Sequence, residues 1–266
     1  MKIRMPEEHG AWGILLVPLV SSALVAGAGF APFLLVATCA LGGFILRGSW
    51  ERMPRAERSL RGMLSFDHIV LASHTLGAAA LLLFRYERTQ LYALGALAAG
   101  LFLIHRALLQ RHEENGTEKR SLAAELVGVG LLTLTAPAMW IAARGALDAE
   151  GTRVWLLNLL FFLGGVLYVK YRVRGLLAHR TFRGIGERAR FAWPVFAYHL
   201  LLGIFLAAWI LLANLSALVL VAFLPAILRA TNLARHLGTK FPIKQLGWSE
   251  VGQAVLFAAL LTLAFA

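Results

Sequence analysis

Nine apolar stretches, each long enough or nearly long enough to cross a lipid bilayer, occupy most of this chain and leave it few folds to choose from. They run from Gly10 to Gly27, Phe30 to Leu46, Asp67 to Phe84, Leu91 to Leu109 and Leu122 to Ala143. The series continues from Val154 to Val169, Trp193 to Ala213, Ser216 to Asn232 and Trp248 to Phe265. A spanning α-helix needs about 20 mainly apolar residues. Hydrocarbon offers the backbone no hydrogen-bond partner, so runs of this length read as helices. The expectation is an all-α membrane protein with nine transmembrane helices in a single integral domain, 1–266. Close neighbours, as across Ala26–Ala31, read as tight turns at the lipid surface.

Composition agrees: 59% of residues are hydrophobic and 15% charged, more apolar surface than a soluble core of this size requires. Lys and Arg outnumber Asp and Glu by 26 to 14. These basic residues sit in the connectors and form no RNA- or DNA-binding motif, so they point to membrane lipids as partners and not to nucleic acid. Their distribution sets the orientation. With the N-terminus inside, the cytoplasmic connectors carry 22 of them, and the opposite side carries only Arg85, Arg88, Arg144 and Arg153. The bias alternates at every loop. The positive-inside rule therefore supports a cytoplasmic N-terminus and the count of nine spans, which puts the C-terminus outside.

Ala26-Gly27-Ala28 fits a signal-peptidase pattern, but Glu7 and Glu8 spoil the basic lead-in, and the first run reads as a span. The single cysteine, Cys39, rules out internal disulfides, a C-x-x-C pair and a cysteine-based zinc site; it reads as a packing residue. The two longest connectors, Arg47–Phe66 and Lys170–Ala192, each carry apolar positions among arginines (Met53, Leu60, Met63; Leu176, Leu177, Phe182). Each is expected to form a short amphipathic helix, either a surface anchor or a lid.

Ionisable groups inside spans are costly, about 2.5–3.5 kcal/mol each at mid-bilayer on insertion scales, so their placement is informative. Nearly all fall towards the cytoplasm: His9, Asp67, His68, His74, His105, Glu118, Lys119, Arg120, Glu125, Tyr168, Lys170, Tyr171, Arg172, Tyr198, His199, Arg229, Asn232, Glu250 and Gln253. Only Asn158 lies nearer the far side. Asp67 and His74 are seven apart and share a helix face, as do Glu118 with Glu125 and His105 with His112. Glu250 with Gln253, and Arg229 with Asn232, are three apart and adjacent. Such faces would line a polar cavity open to the cytoplasm. The competing reading is ordinary polar helix ends with snorkelling arginines.

The block Pro6-Glu7-Glu8-His9-Gly10-Ala11-Trp12-Gly13, followed by Leu15-Leu16-Val17-Pro18, resembles the signature of the YwiC-like family of bacterial membrane proteins. So do Glu118-Lys119-Arg120-Ser121-Leu122-Ala123-Ala124-Glu125-Leu126 with Thr135-Ala136-Pro137, and Tyr168-Val169-Lys170. That family is similar to an outlying branch of the UbiA superfamily of intramembrane prenyltransferases. The resemblance implies a UbiA-like helical bundle, a cytoplasm-facing cavity and residence in the bacterial inner membrane.

UbiA-type enzymes carry Asp-rich motifs after helices two and six that hold Mg²⁺ on a diphosphate. Here the first connector begins Leu46-Arg47-Gly48-Ser49-Trp50-Glu51-Arg52-Met53-Pro54-Arg55, and the second Tyr168-Val169-Lys170-Tyr171-Arg172-Val173-Arg174, without aspartate. Mg²⁺ prefers carboxylate oxygens, so no cofactor is implied and no catalytic residue is carried over. Arginine and lysine clusters bind phosphate or carboxylate directly.

The leading expectation is binding of an anionic amphiphile such as an isoprenoid (di)phosphate, with prenyltransferase-like activity left open. Its substrate-binding set is His9, Arg47, Arg52, Asp67, His68, His74, Lys119, Arg120, Glu125, Asn158, Tyr168, Lys170, Arg172, Arg229, Asn232 and Glu250. The alternatives are a proton-coupled transporter of a small anion, haem ligation by His74 with His105 or His199, and a non-catalytic accessory subunit. In that last case Gly42-Gly43 and Gly164-Gly165 would be close-packing sites.

Overall fold

The computed structural model describes residues 5–6, 9–51, 65–114, 121–177, 182–213, 215–239 and 242–266. Every regular element among them is helical. In chain order these are α1 (His9–Ala26), α2 (Phe30–Glu51) and α3 (Phe66–Ala80), which runs into a π-helical turn, Leu81–Arg85. Then come α4 (Gln90–Glu114), α5 (Leu122–Thr133), α6 (Thr135–Arg144), α7 (Ala149–Leu177), α8 (Ile185–Ala213), α9 (Leu218–Thr231), α10 (Leu233–His236) and α11 (Ile243–Phe265).

Seven helical stretches are long and apolar enough to cross a membrane: Phe30–Glu51, Phe66–Arg85, Gln90–Arg111, Leu122–Arg144, Ala149–Leu176, Ile185–Leu212 and Lys244–Phe265. Two shorter apolar helices, Gly10–Ala26 and Leu218–Thr231, complete the set. Large apolar side chains stand exposed on their outer faces, among them Leu103 on α4, Leu200, Leu201 and Leu212 on α8, and Leu263 on α11. Faces this apolar are stable against hydrocarbon and costly in water. The all-helical chain is thus consistent with a multi-pass membrane bundle.

The chain divides into two compact units, residues 1–100 with 132–155, and residues 101–131 with 156–266. In the first, α1 and α2 pack on α6, and α2 on α3. Leu19, Ala23, Val36, Leu82, Met139 and Ala142 form its core. Polar groups stitch the same helices: Thr135 Oγ1 donates to the Leu15 carbonyl at 2.9 Å, and Ser22 Oγ to the Ala136 carbonyl at 2.8 Å. Trp12 Nε1 donates back to the Pro6 carbonyl at 3.2 Å, and its ring meets Phe44 edge-on. In the second unit, α9 packs on α8 and α11, and α10 on α8. Its core includes Tyr168, Ala192, Val195, Ala230, Leu233 and Leu237.

Local chemistry sets the boundaries. Gly27, at φ 63°, lets the chain turn straight from α1 into α2. Asp148 caps α7, its Oδ1 accepting from Gly151 N at 2.8 Å. The expected span Leu122–Ala143 is present as Leu122–Arg144, its helix interrupted at Leu134. Pro137 lacks the N–H that would reach the Thr133 carbonyl, so the ladder breaks one turn upstream. The second connector is also corrected. Lys170–Leu177 prolong α7 and Ile185–Ala192 begin α8, so no separate amphipathic helix lies between them among the described residues. In the first connector, Arg52, Met53, Leu60 and Met63 lie outside the described residues.

Candidate functional site

One face of α7 organises the second unit. Asn158, Phe161, Gly165, Tyr168 and Arg172 recur at intervals of three and four and so share a stripe. Asn158 is fully buried, and Tyr168 and Arg172 are 8% and 7% exposed. Three aromatic rings fill the level of Phe161, which stacks on Phe257 of α11 at 4.0 Å between centroids. Phe223 of α9 meets both rings edge-on.

One turn along α7, the side chain disappears at Gly165. A Cβ there would stand 3.5 Å from Glu250 Oε2 and 3.8 Å from Arg229 Nη2. A charged pair lies against this glycine: Arg229 Nη1 of α9 donates to Glu250 Oε1 of α11. The Arg229 guanidinium carbon also sits 4.2 Å from the centre of the Tyr168 ring. A further turn along, Arg172 Nη2 donates to Thr239 Oγ1 at 3.0 Å. On another side of α7, Lys170 Nζ meets Glu125 Oε2 of α5 at 2.6 Å, and Lys170 is 9% exposed. Three cations thus lie within about two turns of a single helix, two of them matched by a carboxylate. Burying such charges is tolerable only because each has polar partners.

The neighbouring glycine serves α8. A Cβ on Gly164 would come within 3.0 Å of Tyr198 Cε1 and 3.1 Å of His199 Nε2. Tyr198 Oη donates to the Leu160 carbonyl at 2.7 Å, and His199 Nδ1 lies 2.8 Å from the Val195 carbonyl. Gly164 is closely packed by α8, whereas Gly165 makes ordinary contacts, and polar side chains approach both glycines. Gly42 in the first unit likewise admits Thr75.

Of the expected site residues, Glu125, Asn158, Tyr168, Lys170, Arg172, Arg229 and Glu250 fall together in this unit. Asn232 belongs to it but caps α9: its Nδ2 donates to the Leu228 carbonyl at 3.0 Å, and its Oδ1 accepts from Arg235. The first unit holds Arg47, Asp67, His68 and His74. Arg47 pairs with Glu51 one turn along α2, at 2.9 Å. His68 is buried, its ring nitrogens 2.6 Å from Ser49 Oγ and 2.5 Å from Ser65 Oγ. Asp67 and His74 do share a face of α3, the exposed one. Arg52, Lys119 and Arg120, and the side chain of His9, lie outside the described residues. His199 and Gln253 were legible as polar residues in spans, and Gln253 as the i, i+3 neighbour of Glu250; the approach of His199 to Gly164 was not. Thr239, in a loop, carried no sequence signal.

Among the described residues no three His, Cys, Asp or Glu side chains converge as a metal-binding group. Glu125 and Glu250, the two carboxylates of the cluster, are each held by a cation. This donor set does not fit Mg²⁺, which needs carboxylate oxygens not already neutralised.

Helices of this length and apolarity, with a basic cluster held among them, define a multi-pass helical membrane protein. Its sequence places it more closely: residues 5–140 match the family described as YwiC-like protein, and the chain belongs to that family. It is also 27% identical over 267 residues to the protein of Bacillus subtilis (strain 168) named "Uncharacterized protein YwiC", across 99% of this chain and 98% of that one. No solved structure matches the chain.

Proposed function

We propose that this protein binds an anionic amphiphile, such as an isoprenoid phosphate or diphosphate, within a nine-span UbiA-like bundle of the bacterial inner membrane. The N-terminus would be cytoplasmic and the C-terminus outside. The head group engages Lys170, Arg172 and Arg229, and the tail lies along the apolar faces of the second unit. One observation carries the reading: α7 buries Lys170 and Arg172 and stacks Tyr168 on Arg229, so three cations cluster inside the bundle and do not snorkel out to solvent at a helix end. Guanidinium and ammonium groups recognise phosphate oxygens directly, without metal. Glu125 and Glu250 hold the cations until the ligand's oxygens replace them. Metal-assisted ionisation of a diphosphate is not part of the proposal.

Equilibrium binding of tritiated farnesyl phosphate and farnesyl diphosphate to the purified protein in nanodiscs tests the reading, with and without Mg²⁺. Saturable uptake independent of Mg²⁺ is expected; its absence under both conditions refutes the proposal. The two carboxylate–cation pairs favour a second reading, proton-coupled anion transport, because protonating Glu125 or Glu250 would release its cation. Anion flux into proteoliposomes driven by a pH gradient is the result that would favour it.

A further inference from the structure

Beside the Arg229–Glu250 pair, the space between α7, α9 and α11 is closed by aromatic rings. Gly165 meets the pair, and Phe161 stands one turn before it on α7. The Phe161 ring lies nearly parallel to that of Phe257, at 11° and 4.0 Å between centroids. Phe223 closes the third side, 6.1 Å from Phe161 and 5.2 Å from Phe257. Phe223 and Phe257 are 0% exposed, and Phe161 6%. The next turn of each helix repeats the pattern: Leu157, Val219 and Leu261 are all fully buried. The interior is therefore packed for two turns beyond the charged pair.

A packed interior excludes a hydrocarbon tail, because inserting one means displacing rings that already touch one another. The outer surface has no such barrier. On α9, Leu218, Val221, Leu224 and Leu228 recur every three or four residues and stand exposed. That stripe ends at Leu228, the chain neighbour of Arg229. A tail laid along it remains among lipid chains, as it was before binding. Lipid chains are as apolar as the leucines they touch, so the tail's length and branching contribute little to affinity.

Resting on the anion-binding reading, we infer that the site recognises the head group alone. The Phe161–Phe223–Phe257 layer keeps the tail out of the bundle, and isoprenoid and straight-chain phosphates bind alike. The ligand class is any membrane-soluble amphiphile ending in a phosphate or diphosphate, selected by its charge and not by its prenyl units.

Competition at constant head group tests this in phosphatidylcholine nanodiscs. Tritiated farnesyl phosphate is displaced by geranylgeranyl phosphate and by n-hexadecyl phosphate, each expressed as a fraction of total lipid. Midpoints agreeing within about threefold are expected, short of the roughly tenfold or more that a single methyl group is worth in a packed pocket. A larger preference for either chain overturns the inference. A hexadecyl phosphate carrying a diazirine at its far end supplies the second arm. Label on Leu218, Val221 or Leu224, or on lipid alone, is expected; label on Phe161, Phe223 or Phe257 overturns the inference. No saturable binding of any phosphate refutes the anion site and this inference with it, whereas binding with a marked tail preference refutes the inference alone.

Discussion

Arg229 lies against the face of Tyr168, its guanidinium carbon 4.2 Å from the ring centre, while the same guanidinium is paired with Glu250. A cation over an aromatic face inside an apolar bundle is held by the ring quadrupole at about 0.5–2 kcal/mol. Tyr168→Phe preserves the ring and should leave unfolding in mixed micelles nearly unchanged. Tyr168→Leu should destabilise the protein by about 1–2 kcal/mol, measured as a shift in the denaturant midpoint.

The ion pair makes a second prediction. Removing one partner of a largely buried pair strands the other charge and costs about 3 kcal/mol, whereas replacing both with apolar groups of similar size is close to neutral. Glu250→Leu should therefore be strongly destabilising, and the double variant Arg229→Met with Glu250→Leu should recover most of the loss. Additive costs in a double-mutant cycle would show that the pair is not coupled.

Glycine at 164 is dictated by its neighbours. Adding a Cβ brings it to 3.0 Å from Tyr198 and 3.1 Å from His199, on side chains whose polar atoms are anchored to α7 and α8. Gly164→Ala should cost about 1–3 kcal/mol, the usual range for overpacking. Gly43→Ala, with no neighbour within 4 Å, is the control and should be tolerated.

Much of the architecture could be read from hydropathy alone, because lipid-facing helices must be apolar along their length. The ends could not. The sixth apolar stretch stops at Val169 in the sequence, yet α7 continues to Leu177, because Lys170 and Arg172 have partners in Glu125 and Thr239 that let charged residues stay helical and buried. The break at Leu134 was signalled by Pro137, but within an apolar run that signal reads as a kink of unknown size. Sequence spacing correctly set Asp67 and His74 on one face; which face it was depends on packing that spacing does not encode. Likewise, the i, i+3 neighbours of Arg229 and Glu250 were readable. Their pairing with each other joins two helices that a single sequence does not align.

His68 and His74 separate the two kinds of histidine in a span. Both nitrogens of His68 are engaged by serine hydroxyls in a buried setting, whereas His74 is exposed and among the described residues is bonded to the Val70 carbonyl of its own helix. His68→Ala removes the contacts with both serine hydroxyls and leaves a cavity, at an expected cost of about 2–3 kcal/mol. His74→Ala should change thermal stability by less than about 0.5 kcal/mol.

We propose that the cations on and around α7 hold an anionic amphiphile. Native mass spectrometry of the protein released from its own membrane measures this most directly, comparing the natural chain with a folded Lys170→Met, Arg172→Met double variant. An adduct with the mass of an anionic isoprenoid, present on the natural chain and lost from the variant, is the predicted result. Identical adducts on both proteins, or a natural chain carrying only bulk phospholipid, would contradict it.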